Sequence, residues 1–121
     1  MIGKLRAHAI ISGLIAGSVA LASVLVQQPA LAADEVEVTI SIKDHKFDPA
    51  EVKVPAGKAI KLTVKNLDAT AEEFESKSLK VEKVIAGKGT AIIRLKALTK
   101  GSYKFFGEYH EKTAQGVLIA E

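Results

Sequence analysis

The chain has 121 residues, of which 48% are hydrophobic and 26% are charged, and its formal net charge is +3. It contains no cysteine, which excludes disulfides, thiolate metal ligands and an acylated lipoprotein anchor. Both basic residues of the first 32 positions lie near the N-terminus, and the rest of the chain has fifteen basic and fourteen acidic residues, so the charge balance does not indicate a nucleic-acid-binding surface.

The first 32 residues have the layout of a secretory signal peptide. Lys4 and Arg6 form a positively charged region, residues 9–26 form an apolar run without a charge, and an A-x-A cleavage site ends at Ala32. We therefore predict cleavage after Ala32, export to a bacterial periplasm, and one small domain over residues 33–121. The alternative is an uncleaved membrane anchor, since the apolar run is nearly long enough to span a bilayer.

The remainder of the chain reads as short strands separated by turn residues. Apolar and polar residues alternate, or short apolar runs occur, at 36–42, 52–54, 60–64, 72–76, 79–85, 91–95, 103–105 and 117–120. No helical period of useful length competes with this pattern. The sequence therefore predicts an all-β fold, a Greek-key antiparallel β-sandwich of about seven to eight strands.

The stretch from Tyr103 to Gly116 contains the main candidate for a ligand-bearing loop. It begins as a strand, breaks at Gly107 into a polar loop around His110, and leads into the last apolar strand. This stretch resembles the copper loop of the cupredoxins. The resemblance places Gly107 at the position of the copper-binding cysteine, His110 at that of the histidine and Gln115 at that of the axial methionine.

Two further motifs carry the same resemblance. Residues 47–57, Phe-Asp-Pro-Ala-Glu-Val-Lys-Val-Pro-Ala-Gly, are similar to the cupredoxin signature F-x-P-x-x-V-x-V-x-x-G. The triplet that starts at Glu72, Glu-Glu-Phe, stands where the family has a His-x-Phe copper ligand, so Glu72 takes the place of that histidine. The resemblance thus implies a metal site built from Glu72, His110 and Gln115.

Strand parity indicates which other residues can reach such a site. If successive strands run alternately up and down, four loops meet at one end of the sandwich: 43–49, 66–71, 86–89 and 107–115. These loops contain His45 and, beside His110, the carboxylates Glu108 and Glu111. We therefore include His45, Glu108 and Glu111 among the candidate metal ligands.

The chemistry of these side chains limits which metal ions the site can bind. Imidazole and carboxylate without sulfur suit Cu(II), iron, Mn(II) or Zn(II), whereas selection of Cu(I) and a fast blue-copper couple need thiolate or thioether ligands. The sequence therefore predicts reversible binding of a copper or iron ion rather than blue-copper electron transfer. No residue pattern in the chain supports hydrolytic catalysis.

A second resemblance bears on the biological role. Residues 72–84, followed by Leu98-x-x-Gly-x-Tyr, are similar to the cupredoxin-like domain of the EfeO-type periplasmic iron-uptake proteins. This resemblance implies acidic metal ligands and an inner-membrane iron permease as partner, although the chain lacks the cysteine found in parts of that family. Two alternatives remain open. One is an Fe(II) or Cu(I) oxidase that uses the same residues, and the other is a metal-free periplasmic interaction module that docks on a permease or another periplasmic protein.

Overall fold

A computed structural model of the protein describes residues 35–121 and the isolated positions 3, 17, 18, 20, 22 and 23. Apart from those isolated positions, the predicted signal peptide and its cleavage site lie outside the described residues. Within the part of the chain that is described, no helix has the length and apolar character needed to cross a membrane.

The described residues form two sheets that pack face to face, which confirms the predicted all-β sandwich. Their nine strands are β1 (Val36–Lys43), β2 (Lys46–Asp48), β3 (Glu51–Val54), β4 (Ile60–Asn66), β5 (Glu72–Ser76), β6 (Val81–Ile85), β7 (Thr90–Leu95), β8 (Gly101–Gly107) and β9 (Gln115–Ala120). One sheet has the order β2-β1-β4-β7 and the other the order β3-β9-β8-β5-β6. A short 3-10 helix, Glu108–His110, separates β8 from β9.

The sheets are mixed rather than wholly antiparallel. Strand β1 runs parallel to β4, and β3 runs parallel to β9. The cause lies in residues 46–54. The sequence predicts a loop at 43–49 and a strand at 52–54, but Lys46–Asp48 also forms a strand, and the two strands belong to different sheets. Strand β2 stays with β1, whereas β3 crosses to the other sheet and pairs with β9. The described residues therefore form nine strands, one more than the upper end of the expected range.

The core lies between the sheets and consists of the apolar residues that alternate along each strand. Its centre is a cluster of three phenylalanines, with ring centroids 5.8 Å apart for Phe47 and Phe74 and 5.0 Å apart for Phe105 with each of the other two. All three side chains are buried. Burial of one large apolar side chain contributes about 1.5 to 3 kcal/mol, so this cluster is a principal source of stability in a domain without disulfides.

Asn66 organises the loops at one end of the sandwich. The residue is only 1% exposed. Its Nδ2 donates to the carbonyl oxygens of Thr70, at 2.8 Å, and Ile85, at 3.2 Å, while its Oδ1 accepts from the backbone N–H of Asp68 at 3.1 Å. The backbone N–H of Lys88 donates in turn to the Asp68 carbonyl oxygen at 2.8 Å. The β4–β5 and β6–β7 loops are therefore held together beside the end of β5.

Candidate metal site

His45 is presented by the two-residue turn between β1 and β2. Asp44 and His45 have φ values of 52° and 58°, the positive values that a tight two-residue hairpin requires at both central positions. For residues other than glycine this conformation costs on the order of 1 kcal/mol or more each. Asp68 offsets that cost, because its Oδ1 accepts the backbone N–H of Asp44 at 2.8 Å and its Oδ2 accepts that of His45 at 3.0 Å.

Asp68 therefore fixes the position of His45 from a neighbouring loop. The hydrogen bond from the His45 backbone N–H lowers the pKa of Asp68, and together with the N–H of Asp44 it outweighs the opposite effect of burial. The carboxylate also lies 3.5 Å from His45 Nδ1. Sequence reasoning did not single out Asp68. The available signal was its place in the 66–71 loop, which strand parity had assigned to the same end as His45.

Glu72 is the first residue of β5 and points into the protein, on the same side of the strand as Phe74. It is 1% exposed. Its Oε1 accepts the backbone N–H groups of Glu73 and Tyr109, each at 3.0 Å, and its Oε2 lies 2.5 Å from His110 Nδ1. A buried carboxylate is costly unless it is hydrogen-bonded. These contacts satisfy both oxygens and aim the carboxylate at the imidazole of His110.

Gly107, at the end of β8, provides the space for this carboxylate. A Cβ atom built on Gly107 would lie 2.7 Å from Glu72 Cδ, 2.8 Å from Glu72 Oε1 and 2.7 Å from Ala114 Cβ. All three distances are shorter than Cβ contacts found in proteins. The two departures from the cupredoxin pattern, a glycine for the cysteine and a glutamate for the first histidine, are therefore in direct contact.

The imidazoles of His45 and His110 meet over Glu72. Their ring centroids are 3.6 Å apart, with an angle of 13° between the ring planes. His45, Glu72 and His110 each offer one possible ligand atom, and these atoms all lie within 4.8 Å of one another. Two donors on opposite sides of one ion, each at about 2.0 to 2.2 Å, are up to about 4.4 Å apart, so a small contraction would let the three side chains bind the same ion.

The other three predicted ligands lie outside this cluster, which we call the histidine site. Gln115 is exposed, and its Nε2 donates to the carbonyl oxygen of Glu111 at 2.9 Å, so its side chain closes the loop rather than facing the imidazoles. Glu111 itself is exposed. Gly107 faces Glu72. The carboxylate of the next residue, Glu108, approaches those of Glu73 and Glu82 rather than the histidine site.

The donor set of the histidine site fits a copper or iron ion but not a blue-copper centre. Two imidazoles and one carboxylate suit Cu(II), iron or Zn(II), whereas the blue-copper geometry depends on a thiolate. In addition, Nδ1 of His45 lies 3.5 Å from the carboxylate of Asp68, which is not one of the three donors. A carboxylate beside an imidazole holds the ring in place and raises its basicity, which strengthens a metal–imidazole bond.

Comparison with known proteins gives both a family match and a sequence relative. The family model described as a cupredoxin-like domain matches residues 15–120. A protein of Rickettsia prowazekii (strain Madrid E), described as uncharacterized, is 46% identical over 84 residues, which are 69% of this chain and 67% of that protein.

Solved structures of copper proteins have the same fold. Auracyanin A, a blue copper protein from the green thermophilic photosynthetic bacterium Chloroflexus aurantiacus, is similar with a TM-score of 0.62 and 17% identity, covering 72% of this chain and 99% of that protein. The metal-binding domain of the Cu(I)-exporting P-type ATPase CopA of Streptococcus pneumoniae D39, solved with Cu(I), has a TM-score of 0.65 and 14% identity, covering 73% of this chain and 87% of that domain. At such low identities these likenesses show the fold alone.

Proposed function

The chain belongs to the cupredoxin-like domain family, and we propose that it is a periplasmic metal-binding protein that holds a copper or iron ion at the histidine site and assists iron uptake. The observation that carries this proposal is the convergence of His45, Glu72 and His110, whose possible ligand atoms lie within 4.8 Å of one another. These residues come from three separate loops or strand ends.

The arrangement supports binding of a cation rather than a purely structural role. Glu72 places a carboxylate at a buried position, and its hydrogen bonds from the Tyr109 and Glu73 backbones hold it there before any ion arrives. Three protein donors leave at least one coordination position open on a four-coordinate ion. An open position favours exchange of ligands, as release of the ion to another protein requires.

The ligand types of the histidine site determine which oxidation states of copper and iron it can hold. Auracyanin A and the CopA domain are copper proteins by name, and the fold of this chain is theirs. The donors of the histidine site include no sulfur, because Gly107 stands at the position of the cysteine and no cysteine is present, and the carboxylate of Glu72 stands at the position of the first histidine. A copper ion would be held as Cu(II), and either oxidation state of iron is compatible with imidazole and carboxylate.

The role in iron uptake rests on the likeness of residues 72–84 to the EfeO-type proteins, and the periplasmic location rests on the leader sequence. Both remain proposals. An inner-membrane iron permease is the partner that this role implies.

Metal analysis of the protein, exported to a periplasm and purified without chelator, tests the proposal. Titrations with Cu(II), Fe(III), Fe(II) and Zn(II) should give one tight equivalent of copper or iron, which His110→Ala should remove. Gln115→Ala is the matched control, since Gln115 lies on the same loop but outside the cluster.

Failure to bind any of these ions would leave the metal-free interaction module as the function. Turnover of Fe(II) or Cu(I) above the buffer rate, lost in His110→Ala, would instead identify an oxidase that uses the same residues.

A further inference from the structure

A second group of carboxylates lies on the outer face of the five-stranded sheet. It consists of Glu73 on β5, Glu82 on β6 and Glu108 in the 3-10 helix, each with an oxygen within 4.8 Å of the others. Side chains alternate along a strand, so Glu73 points to the side of β5 opposite to Glu72. Glu82 lies on this outer face as well, since its register partner on β5 is Glu75, two residues after Glu73.

Glu73 is the unusual member of this group. It is only 5% exposed, and its Oε1 is shielded from solvent without a hydrogen-bond partner among the described residues. A buried oxygen that lacks a partner costs free energy. The salt bridges within residues 35–121 involve none of the three carboxylates, so no lysine or arginine in that part of the chain neutralises them at close range.

We propose that Glu73, Glu82 and Glu108 form a second cation site, which we call the carboxylate site. It is separate from the histidine site and takes a hard ion such as Mn(II). An all-oxygen set of carboxylates is the ligand type that Mn(II), Mg(II) and Ca(II) prefer. Oxygens that bind one such ion at about 2.0 to 2.6 Å can be up to about 5 Å apart, so the observed spread fits a single ion. The ion would also provide the missing partner for Glu73 Oε1.

The two sites use the same two elements but different side chains. Strand β5 contributes Glu72 to the histidine site and Glu73 to the carboxylate site, and the 3-10 helix contributes His110 and Glu108 in the same way. Because the side chains project to opposite faces of β5, no ligand is shared. Glu82 is the member that lies farthest along the chain from the histidine-site residues, which makes it the best position for a test.

Mn(II) is the probe, and the signal of free Mn(II) in electron paramagnetic resonance measures its binding to the purified protein. Glu82 is exposed on the edge strand β6, so Glu82→Gln should preserve the fold. We expect it to weaken Mn(II) binding at least tenfold and to leave Cu(II) binding at the histidine site unchanged. Glu51→Gln is the matched control, an exposed carboxylate on the opposite edge strand β3 of the same sheet, and should bind Mn(II) like the wild type.

His45→Ala provides the converse test, because it should weaken Cu(II) binding and preserve Mn(II) binding. Loss of Mn(II) binding in His45→Ala, or equal Mn(II) affinity in the wild type and Glu82→Gln, would overturn the second site. Absence of Mn(II) binding by the wild type would do the same. Circular dichroism verifies the fold of each variant, and Glu108→Gln replaces Glu82→Gln if that variant does not fold. The outcomes that would overturn the second site are all measurements of Mn(II) binding, so they do not depend on whether the histidine site holds copper or iron.

Discussion

The carboxylate of Glu72 occupies the space in front of Gly107, where a Cβ atom would lie 2.7 Å from Glu72 Cδ. Side chains at positions 72 and 107 therefore compete for the same space. A side chain at position 107 and the present orientation of Glu72 exclude each other, so a thiolate could be added to this site only if the carboxylate moved. The carboxylate does not simply add to a cupredoxin site but takes up room that any residue larger than glycine would need.

This contact predicts that Gly107→Ala destabilises the fold. The added methyl group would push against Glu72 and Ala114, and overpacking of this kind costs about 1 to 3 kcal/mol. Denaturant unfolding measures the change, and a Cu(II) titration should show weaker binding because Glu72 is displaced. The double variant Glu72→Ala/Gly107→Ala should show favourable coupling of about 1 kcal/mol or more. If the changes in the free energy of unfolding of the two single variants added up to that of the double variant, the contact between positions 72 and 107 would not be the cause of the destabilisation.

Glu72→Gln isolates the negative charge at the histidine site. The amide oxygen can still accept the backbone N–H of Tyr109, so the local structure should persist, but the charge that attracts the cation is lost. We expect the Cu(II) dissociation constant to rise at least tenfold, or about 1.4 kcal/mol. Glu111→Gln is the control, because Glu111 is exposed and lies outside the cluster. An equal loss in both variants would show that general electrostatic attraction, not ligation by Glu72, governs the affinity.

Asp68→Ala should loosen the turn that presents His45. Two backbone N–H groups would lose their acceptor while the turn retained its positive φ angles. Loss of hydrogen bonds to a charged group of this kind costs about 2 kcal/mol in the free energy of unfolding. Metal affinity should fall as well, since His45 would no longer be held over His110. Denaturant unfolding and Cu(II) titration measure the losses of stability and of metal affinity in Asp68→Ala, with Glu51→Ala as an exposed control. A metal affinity equal to that of the wild type in Asp68→Ala would argue against His45 as a ligand.

The carboxylate site should give the metal-free protein an inverse dependence of stability on pH. The pKa of Glu73 rises from 4.5 to about 7, because Glu73 and Glu108 can hydrogen-bond only when one of them is protonated, with burial and Glu82 acting in the same direction. Between these values the folded protein holds a proton that the unfolded chain has released. The free energy of unfolding should therefore decrease as the pH rises through this window.

Thermal unfolding with chelator present, followed from about pH 5 to about pH 7, measures this slope. Glu73→Gln should flatten it, because an amide does not titrate. If the stability of Glu73→Gln depended on pH as steeply as that of the wild type, the pH dependence would come from other titratable groups.

Much of the fold could be predicted because each strand carries its own alternation of apolar and polar residues. The strand Lys46–Asp48, which lies in the predicted 43–49 loop, could not be predicted, because three residues are too few to show an alternation. The crossing of β3 to the other sheet could not be predicted either, because a strand alternates in the same way whichever sheet it joins. Only the long-range pairing of β3 with β9 decides the matter, and no local pattern records that pairing.

The candidate site was predictable where a motif or the strand parity fixed a position, as for His110, Glu72 and His45, which the structure brings together. It was not predictable where side-chain direction mattered. Gln115 holds the axial position in the motif, but its amide binds the Glu111 carbonyl oxygen. Asp68 acts through the backbone of the opposite turn, a contact that becomes visible only when the loops are placed in space.

The phenylalanine cluster also determines which acid faces the histidines. Phe74 is fully buried between Phe47 and Phe105, and it shares a face of β5 with Glu72. A slip of β5 by one residue would turn Phe74 toward water and exchange Glu72 for Glu73 beneath the imidazoles. Aromatic packing thus determines which carboxylate lies beneath the imidazoles, so a change deep in the core can exchange the acid of the proposed metal site without replacing any of its three residues.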